Sequence, residues 1–227
     1  FVCLIQAPSP PISSGTRTSR SQWLTSVLAA SAYGNVKTSC AGRKNGRVDV
    51  TDNEIVPGDR SGGTNTSHTI VVPALTALLS VVDRHAEHAI YEQAVIAENV
   101  LGKDTTGSRQ RTFRYLRELY LLRPDSTLFR ALRDVWNDDP SGQPLLAGLC
   151  ALARDTVFRA SASAILQSDP GDEITSSDLS TAVGEVFPSA YNDATLAKIG
   201  RNTASSWEQT GHLEAVARNE KLRRRPT

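Results

Sequence analysis

Arginine recurs at one-turn spacing in the segment RQRTFRYLRELYLL, where Arg111, Arg114 and Arg117 follow one another at every third position. The opposite side of the predicted helix carries Phe113, Leu116 and Tyr120. Because the apolar side packs inward, the three arginines should face solvent, where guanidinium groups one turn apart can meet successive phosphates of a nucleic-acid backbone. The alternative is an ordinary solvated face on which Arg114 pairs with Glu118.

A second basic face is predicted on the segment ATLAKIGRNTASSWEQT. Its outward positions are Lys198, Arg201, Asn202 and Ser205, and its inward positions are Leu196, Ile199, Thr203 and Trp207. Basic and amide side chains on an outward helix face suit the major groove of DNA, where Asn202 could reach a base edge. The preceding helix, residues 177–187, would complete a helix-turn-helix-like pair. Many surface helices carry such residues, so a plain solvated face stays open as the alternative.

Basic residues outside these two faces extend the candidate interface. Arg109 opens the first helix, and the tail KLRRRP adds Arg223 and Arg224, which favour unspecific attraction to phosphate or simply solubilise the end of the chain. The sequence therefore predicts a nucleic-acid interface made of Arg109, Arg111, Arg114, Arg117, Lys198, Arg201, Asn202, Arg223 and Arg224.

Charge is separated along the chain although the formal net charge is only +1. Basic residues outnumber acidic ones in residues 103–133 and 198–227, whereas acidic residues dominate 134–197. Attraction to nucleic acid must therefore be local. The acidic segment supports a second hypothesis, a helical protein-interaction adaptor that docks a basic partner without contacting nucleic acid.

The sequence contains no recognisable catalytic motif. It lacks a GxSxG nucleophile elbow, a P-loop and a GxGxxG turn. His85 and His88 form HAEH, which is not the HExxH spacing of a zinc enzyme. The cysteines Cys3, Cys40 and Cys150 are too far apart for a CxxC metal knuckle. We therefore expect a non-enzymatic protein without metal or cofactor.

The sequence predicts a cytoplasmic protein that does not enter a membrane. No stretch approaches the roughly 18 apolar residues that span a bilayer. The segment WLTSVLAASAYG follows Arg17 and Arg20 and resembles a secretory signal, but its apolar part is short and interrupted by Thr25 and Ser26. The sparse cysteines suit a reducing compartment.

The amino-acid composition of the sequence changes near residue 72. Residues 1–72 are rich in Ser, Thr, Gly, Pro and Asn, which predicts a poorly structured, flexible arm. Because the chain begins with Phe1 and contains no methionine, we hypothesise that it is a fragment, or that it is read from upstream of its true start, in which case the arm is not native coding sequence. Residues 73–217 are predicted to form a helical domain, and residues 218–227 a basic tail.

The spacing of apolar residues predicts an all-α domain, a compact bundle of six or seven helices that ends in the helix-turn-helix-like pair. Residues 73–102 should form one long helix or two that join near His88. A helix capped by Ser108 should run to Arg123, and the apolar segment from Leu145 to Leu166 should be the central helix. Gly211 marks the end of the last long helix, after which a short hairpin could follow.

Three segments in order carry a family resemblance: ENVLGKDTTGSRQRTFRYLREL, LLAGLCALARDTVFR and NDATLAKIGRNTASSWEQTGHLE. Together they resemble the small BrxA-like proteins of bacterial BREX phage-exclusion loci, over about residues 80–215. The matching positions are Asn99, Leu101, Lys103, Ser108, Arg111, Glu118, Leu119, Ala153, Arg154, Thr195, Leu196, Gly211 and Leu213.

The resemblance implies a compact helical, non-enzymatic accessory protein of a phage-defence system. Such a protein would bind double-stranded DNA and work beside other defence-system proteins, among them a methyltransferase. The resemblance implies no catalytic residues.

Overall fold

The structure, a computed structural model, describes residues 54–217 and 220–226. Helices dominate these residues, and a small antiparallel pair of strands accompanies them, so the predicted all-α bundle is confirmed. The expected disorder and foreign origin of residues 1–53 concern a part of the chain that lies outside the described residues. None of the described helices is long and apolar enough to cross a membrane.

The longer helices are α1 (Val72–Val81), α2 (His88–Ile96), α3 (Thr106–Tyr120), α4 (Thr127–Trp136), α5 (Gln143–Arg154), α8 (Ser176–Val186) and α9 (Asp193–Gln209). Two helices of five residues, α6 (Thr156–Ala160) and α7 (Ala162–Leu166), lie between α5 and α8, and 3-10 turns occupy Thr64–Thr66 and Pro140–Gly142. The chain closes on the strands β1 (Leu213–Ala217) and β2 (Glu220–Arg223).

Side-chain oxygens fix the first turns of several helices. Ser126 accepts the N–H of Phe129 at the start of α4, and Asn192 accepts the N–H of Thr195 at the start of α9. Such a cap contributes about 1 kcal/mol. The predicted cap of α3 is wrong, since Thr105 accepts the N–H of Ser108 and the helix begins earlier than expected.

Several predicted helix ends are also wrong. Residues 73–102 form two helices, the second of the two alternatives, but α2 ends at Ile96, well before Gly102. Helix α3 ends at Tyr120 because Leu121 and Leu122 turn to positive φ, 65° and 52°. That turn brings Leu122 fully into the core. The end of α9 next to Gly211 is confirmed, with φ 76° at the glycine.

The central apolar segment is not one helix. Asp155 has extended backbone angles and caps α6 by accepting the N–H of Phe158, so the segment divides into α5, α6 and α7. Aromatic side chains fill the core around α5, and the largest fully buried ones are Trp136, Tyr91, Tyr120, Phe129 and Phe158. Each contributes about 1.5–3 kcal/mol by leaving water.

Residues 54–71 contradict the predicted boundary at residue 72. This segment, which we call the strap, is part of the folded domain because it is bonded to several helices. Both carboxylate oxygens of Glu54 accept N–H groups at the start of α4, from Thr127 at 2.9 Å and Leu128 at 2.8 Å. The Tyr120 hydroxyl donates to the carbonyl of Ile70. The strap therefore holds the start of α4 and the end of α3 in place.

The predicted basic tail, residues 218–227, is wrong for its described part. Leu222 pairs with Glu214, and Arg223 with Leu213, in an antiparallel hairpin. The other edge of β2 is covered by residues 171–174, since Gly171 donates to the Arg223 carbonyl and Ile174 to the Lys221 carbonyl. The hairpin that could follow Gly211 is confirmed.

Candidate nucleic-acid interface

The outer face of α3 presents the three arginines to solvent, as the sequence predicts. Arg111, Arg114 and Arg117 are all exposed, because α3 buries the aromatic and leucine side chains of its other face. Arg111 and Arg117 form no ion pair with any described residue. Arg114 makes a loose, exposed pair with Glu118, with the Nε–Oε1 distance at 3.8 Å. Two of the three guanidinium groups are thus available to an anion.

The outward face of α9 is only partly as predicted. Lys198 and Arg201 are exposed and without an acidic partner among residues 54–217 and 220–226. Asn202 is half-buried, and its side-chain amide donates to the carbonyl of Asn65 at 3.0 Å. This bond gives Asn202 a structural role within the domain and uses one of its two side-chain N–H groups, so its predicted role as a base reader stays a prediction.

The strap lies between the two basic helices and contacts both. The Thr64 hydroxyl donates to the Glu118 carboxylate of α3 at 3.2 Å. Asn65 is fully buried, and its side-chain oxygen accepts from Ser206 of α9 at 2.6 Å. Next along the strap, the exposed His68 lies on the ring of Tyr115, with the centroids 4.8 Å apart. One short segment thus joins α3 and α9, the two helices that carry the candidate phosphate contacts.

The predicted phosphate contact at Arg109 is corrected to a structural role. Its Nε donates to the Lys103 carbonyl at 3.2 Å, and its Nη1 donates to the Ile96 carbonyl at 3.2 Å. Ile96 is the last residue of α2, so this half-buried arginine closes the end of that helix and anchors the loop before α3.

The two tail arginines differ in their surroundings. Arg223 is half-buried and donates to the carbonyls of Ile165 and His212, so it is corrected from a free tail residue to a bridge between the hairpin and α7. Arg224 is exposed and pairs with Glu214 of the neighbouring strand. Neither side chain is a free phosphate contact.

The predicted helix-turn-helix-like pair corresponds to α8 and α9. The two helices pack closely, since a Cβ on Gly200 would lie 2.1 Å from the Ser176 carbonyl oxygen. Residues 187–192 connect them, a longer link than the turn of about three or four residues in a DNA-binding helix-turn-helix. An open groove of about 440 Å³ between them carries the carboxylates of Glu185 and Asp193. These charges oppose the approach of phosphate to the start of α9.

Several buried titratable groups are structural. Burial raises the pKa of the Cys150 thiol to about 12, which makes it a poor nucleophile. Burial, with the nearby charge of Arg223, lowers the pKa of His212 to about 4. Burial also raises the pKa of Asp155, although Asn65 and Phe158 donate hydrogen bonds to its carboxylate. Of these groups, Asp155 lies at the junction of α5 and α6, and His212 at the junction of α9 and β1.

The two histidines considered as metal ligands both form hydrogen bonds with other protein groups. His88 lies against the ring of Phe113 and bonds through Nδ1 to the Leu122 carbonyl at 2.9 Å. His85 accepts from the adjacent Arg84. Within the part of the chain that the structure describes, no group of three His, Cys, Asp or Glu residues is arranged to hold a metal ion.

The strap residues Thr64 and His68 are absent from the interface that the sequence predicts. The segment GDRSGGTNTSH has no regularly spaced apolar residues. The strap is held mainly by hydrogen bonds, which leave no such spacing. From composition alone, a polar segment of this kind is predicted to be a flexible loop.

No protein-family model matches the chain, and no curated protein matches it.

Proposed function

We propose that this protein binds the phosphate backbone of double-stranded DNA. The interface is the basic face, defined as Arg111, Arg114 and Arg117 of α3 with Lys198 and Arg201 of α9. The observation that carries the proposal is the exposure of the α3 arginines at one-turn intervals, with Arg111 and Arg117 free of carboxylate partners in the described chain. Structural arginines of this domain make internal hydrogen bonds instead.

The basic face supports attraction to phosphate more than recognition of base sequence. Asn202, the candidate base reader, donates inside the domain, and the acidic groups Glu185 and Asp193 flank the start of α9. Contacts to phosphate position a protein on the duplex but carry no sequence information. Binding should therefore be strongly salt-dependent and only weakly dependent on sequence.

The test compares two matched double variants. In Arg111→Ala/Arg117→Ala the two unpaired arginines of α3 are removed. In Arg84→Ala/Arg130→Ala two other exposed arginines are removed, which gives the same change of net charge. Fluorescence anisotropy with a labelled duplex measures affinity over a series of salt concentrations. The slope of log affinity against log salt should fall by about 0.9 for each phosphate that the first variant no longer neutralises.

The control variant should keep the slope of the wild type. Equal slopes for the two double variants would show that Arg111 and Arg117 do not contact phosphate. A wild type that does not bind duplex DNA at low salt would contradict the proposed function itself. Circular dichroism of each variant confirms that the fold is retained.

The biological setting of the proposal comes from the resemblance to BrxA-like proteins. We propose that the protein acts in the cytoplasm as a non-enzymatic accessory of a phage-defence system. A methyltransferase gene beside the coding sequence, and loss of phage resistance when the gene is deleted, would support this setting. Unchanged resistance in the deletion strain would contradict it without touching DNA binding.

One observation favours a second candidate, the protein-interaction adaptor. The groove between α8 and α9 joins the apolar side chains of Leu196 and Ala197 to the carboxylates of Glu185 and Asp193. Such a surface suits a basic, partly apolar segment of another protein. A partner that co-purifies with the wild type and is absent with Glu185→Lys, while duplex binding is absent, would favour the adaptor over the DNA-binding protein.

A further inference from the structure

His68 occupies a basic corner at the edge of the basic face. Its ring lies on Tyr115 at 4.8 Å between centroids, and Arg111 precedes Tyr115 by one helical turn on the same face of α3. Lys103 is held in the loop before α3, because its N–H donates to the Asn99 side chain at 2.8 Å and its carbonyl accepts from Arg109. The strap and α3 thus meet at the exposed imidazole, and Lys103 in the loop before α3 is near enough to act on it electrostatically.

The charges around His68 are positive. Lys103 and Arg111 act on it electrostatically, and Arg114 lies over the ring of Tyr115, 5.3 Å from the ring centroid. Burial of part of the ring lowers the pKa of His68, the hydrogen bond with Thr69 offsets part of this shift, and the two cations lower the pKa further. The free protein therefore carries a neutral imidazole near pH 7, in which Nδ1 accepts the N–H of Thr69 at 2.9 Å.

We propose that His68, Lys103 and Arg111 form a phosphate subsite of the basic face, at which His68 takes up a proton from solvent when a backbone phosphodiester binds. The inference rests on the proposed function, because the ligand is a phosphate of the duplex. The bound phosphodiester offsets the charges of Lys103 and Arg111 and adds a negative charge beside the ring. Both changes favour the imidazolium form. The proton goes to Nδ1, which gives up the Thr69 bond, while Nε2–H donates to a phosphate oxygen.

The sign of the pH dependence follows from this exchange. Binding raises the pKa of His68, so affinity is greatest below the pKa of the free protein and declines as pH rises through the pKa of the complex. Each pKa unit of difference corresponds to about a tenfold change in affinity.

The experiment measures duplex affinity by anisotropy at constant ionic strength from about pH 8 to about pH 5.5, the range in which histidine titrates. Wild type is compared with His68→Gln, which cannot take up the proton, and with His85→Gln, an exposed histidine in the turn between α1 and α2. Wild type and His85→Gln should bind more tightly as pH falls, and His68→Gln should lose that increase. The same increase in His68→Gln would overturn the subsite while leaving the proposed function intact.

Nuclear magnetic resonance gives an independent measure of the proton. The ring proton shifts of His68 should report a higher pKa in the duplex complex than in the free protein. An equal rise with inorganic phosphate at the same phosphate concentration would overturn the assignment to a nucleic-acid backbone and identify a site for free phosphate. Absence of duplex binding at every pH would instead refute the proposed function on which the subsite depends.

Discussion

The outer face of α3 and the ends of the helices use the same side chain in opposite ways. On α3 the arginines point into solvent, and two of them have no acidic partner in the described residues. At the helix ends, arginines turn inward and donate to main-chain carbonyls. These inward arginines are Arg109 at the end of α2, Arg133 at α1, Arg154 at α3, Arg159 at α5 and Arg223 at α7.

The physical reason lies in the unpaired carbonyls of a helix C-terminus. The last four C=O groups of a helix lack an intrahelical donor and carry partial negative charge. A guanidinium group offers five N–H donors in a fixed plane, so one arginine can serve two carbonyls at once. Arg159, for example, bonds both Leu152 and Ala153 at the end of α5. The comparison teaches that a count of arginines overstates the number available to a ligand.

The largest loss of stability should come from replacing an arginine that points inward. Arg133 is 5% exposed, and it donates to the carbonyls of Leu79 at 3.0 Å and Val82 at 2.7 Å. Arg133→Met keeps most of the volume but leaves both carbonyls without a donor, which should lower the free energy of unfolding by about 2–4 kcal/mol. Urea denaturation followed by circular dichroism measures the loss.

Arg130 on the same helix provides the control for Arg133. It is exposed, so Arg130→Met should change the free energy of unfolding by less than about 0.5 kcal/mol. Equal stability of the two variants would break the distinction between inward and outward arginines.

A smaller loss of stability is expected in acid, because His212 is buried beside the inward Arg223. Burial first, and then the charge of Arg223, lower the pKa of His212 from 6.5 to about 4 in the folded protein. Below about pH 6.5 the unfolded chain takes up a proton at His212 and the folded chain does not. The free energy of unfolding is therefore at its full value above about pH 6.5 and decreases as pH falls toward 4. The loss should reach about 2–3 kcal/mol near pH 4.5.

Denaturation at several pH values tests the assignment to His212. His212→Gln retains a polar side chain beside Thr210, but glutamine cannot take up a proton in this range. The variant should therefore lose less stability than wild type between neutral pH and about pH 4.5. His85→Gln should behave as wild type. Parallel losses in wild type and His212→Gln would show that other groups carry the acid sensitivity.

The smallest effect should separate Arg109 from its exposed neighbours. Arg109→Ala removes donors to Ile96 and Lys103 and should lower the free energy of unfolding by about 1 kcal/mol. The salt dependence of duplex binding should stay that of wild type, because this guanidinium is not free. A shallower salt slope with unchanged stability would place Arg109 among the outward arginines.

Local pattern was sufficient for the helical class and for the exposure of the arginines on α3. The recurrence of Phe113, Leu116 and Tyr120 predicts both the helix and the outward direction of Arg111 and Arg117, since a helix fixes these directions by its period. Caps and ends were predicted less well. Thr105 and Ser108 are both good cap residues, and the packing of Leu122 in the core decides where α3 ends.

The amino-acid sequence by itself determined the all-helical class, the exposure of the α3 arginines and the separation of charge, because each depends on neighbours within a few residues. Only the tertiary structure decided that the strap belongs to the domain, that the Asn202 side chain bonds to the strap, and that Arg109 and Arg223 bond to the ends of helices. Those roles depend on hydrogen bonds between distant segments, such as Asn202 with Asn65 and Arg223 with Ile165. Such bonds leave no period in the sequence, since a polar side chain has the same identity whether its partner is water or a buried carbonyl.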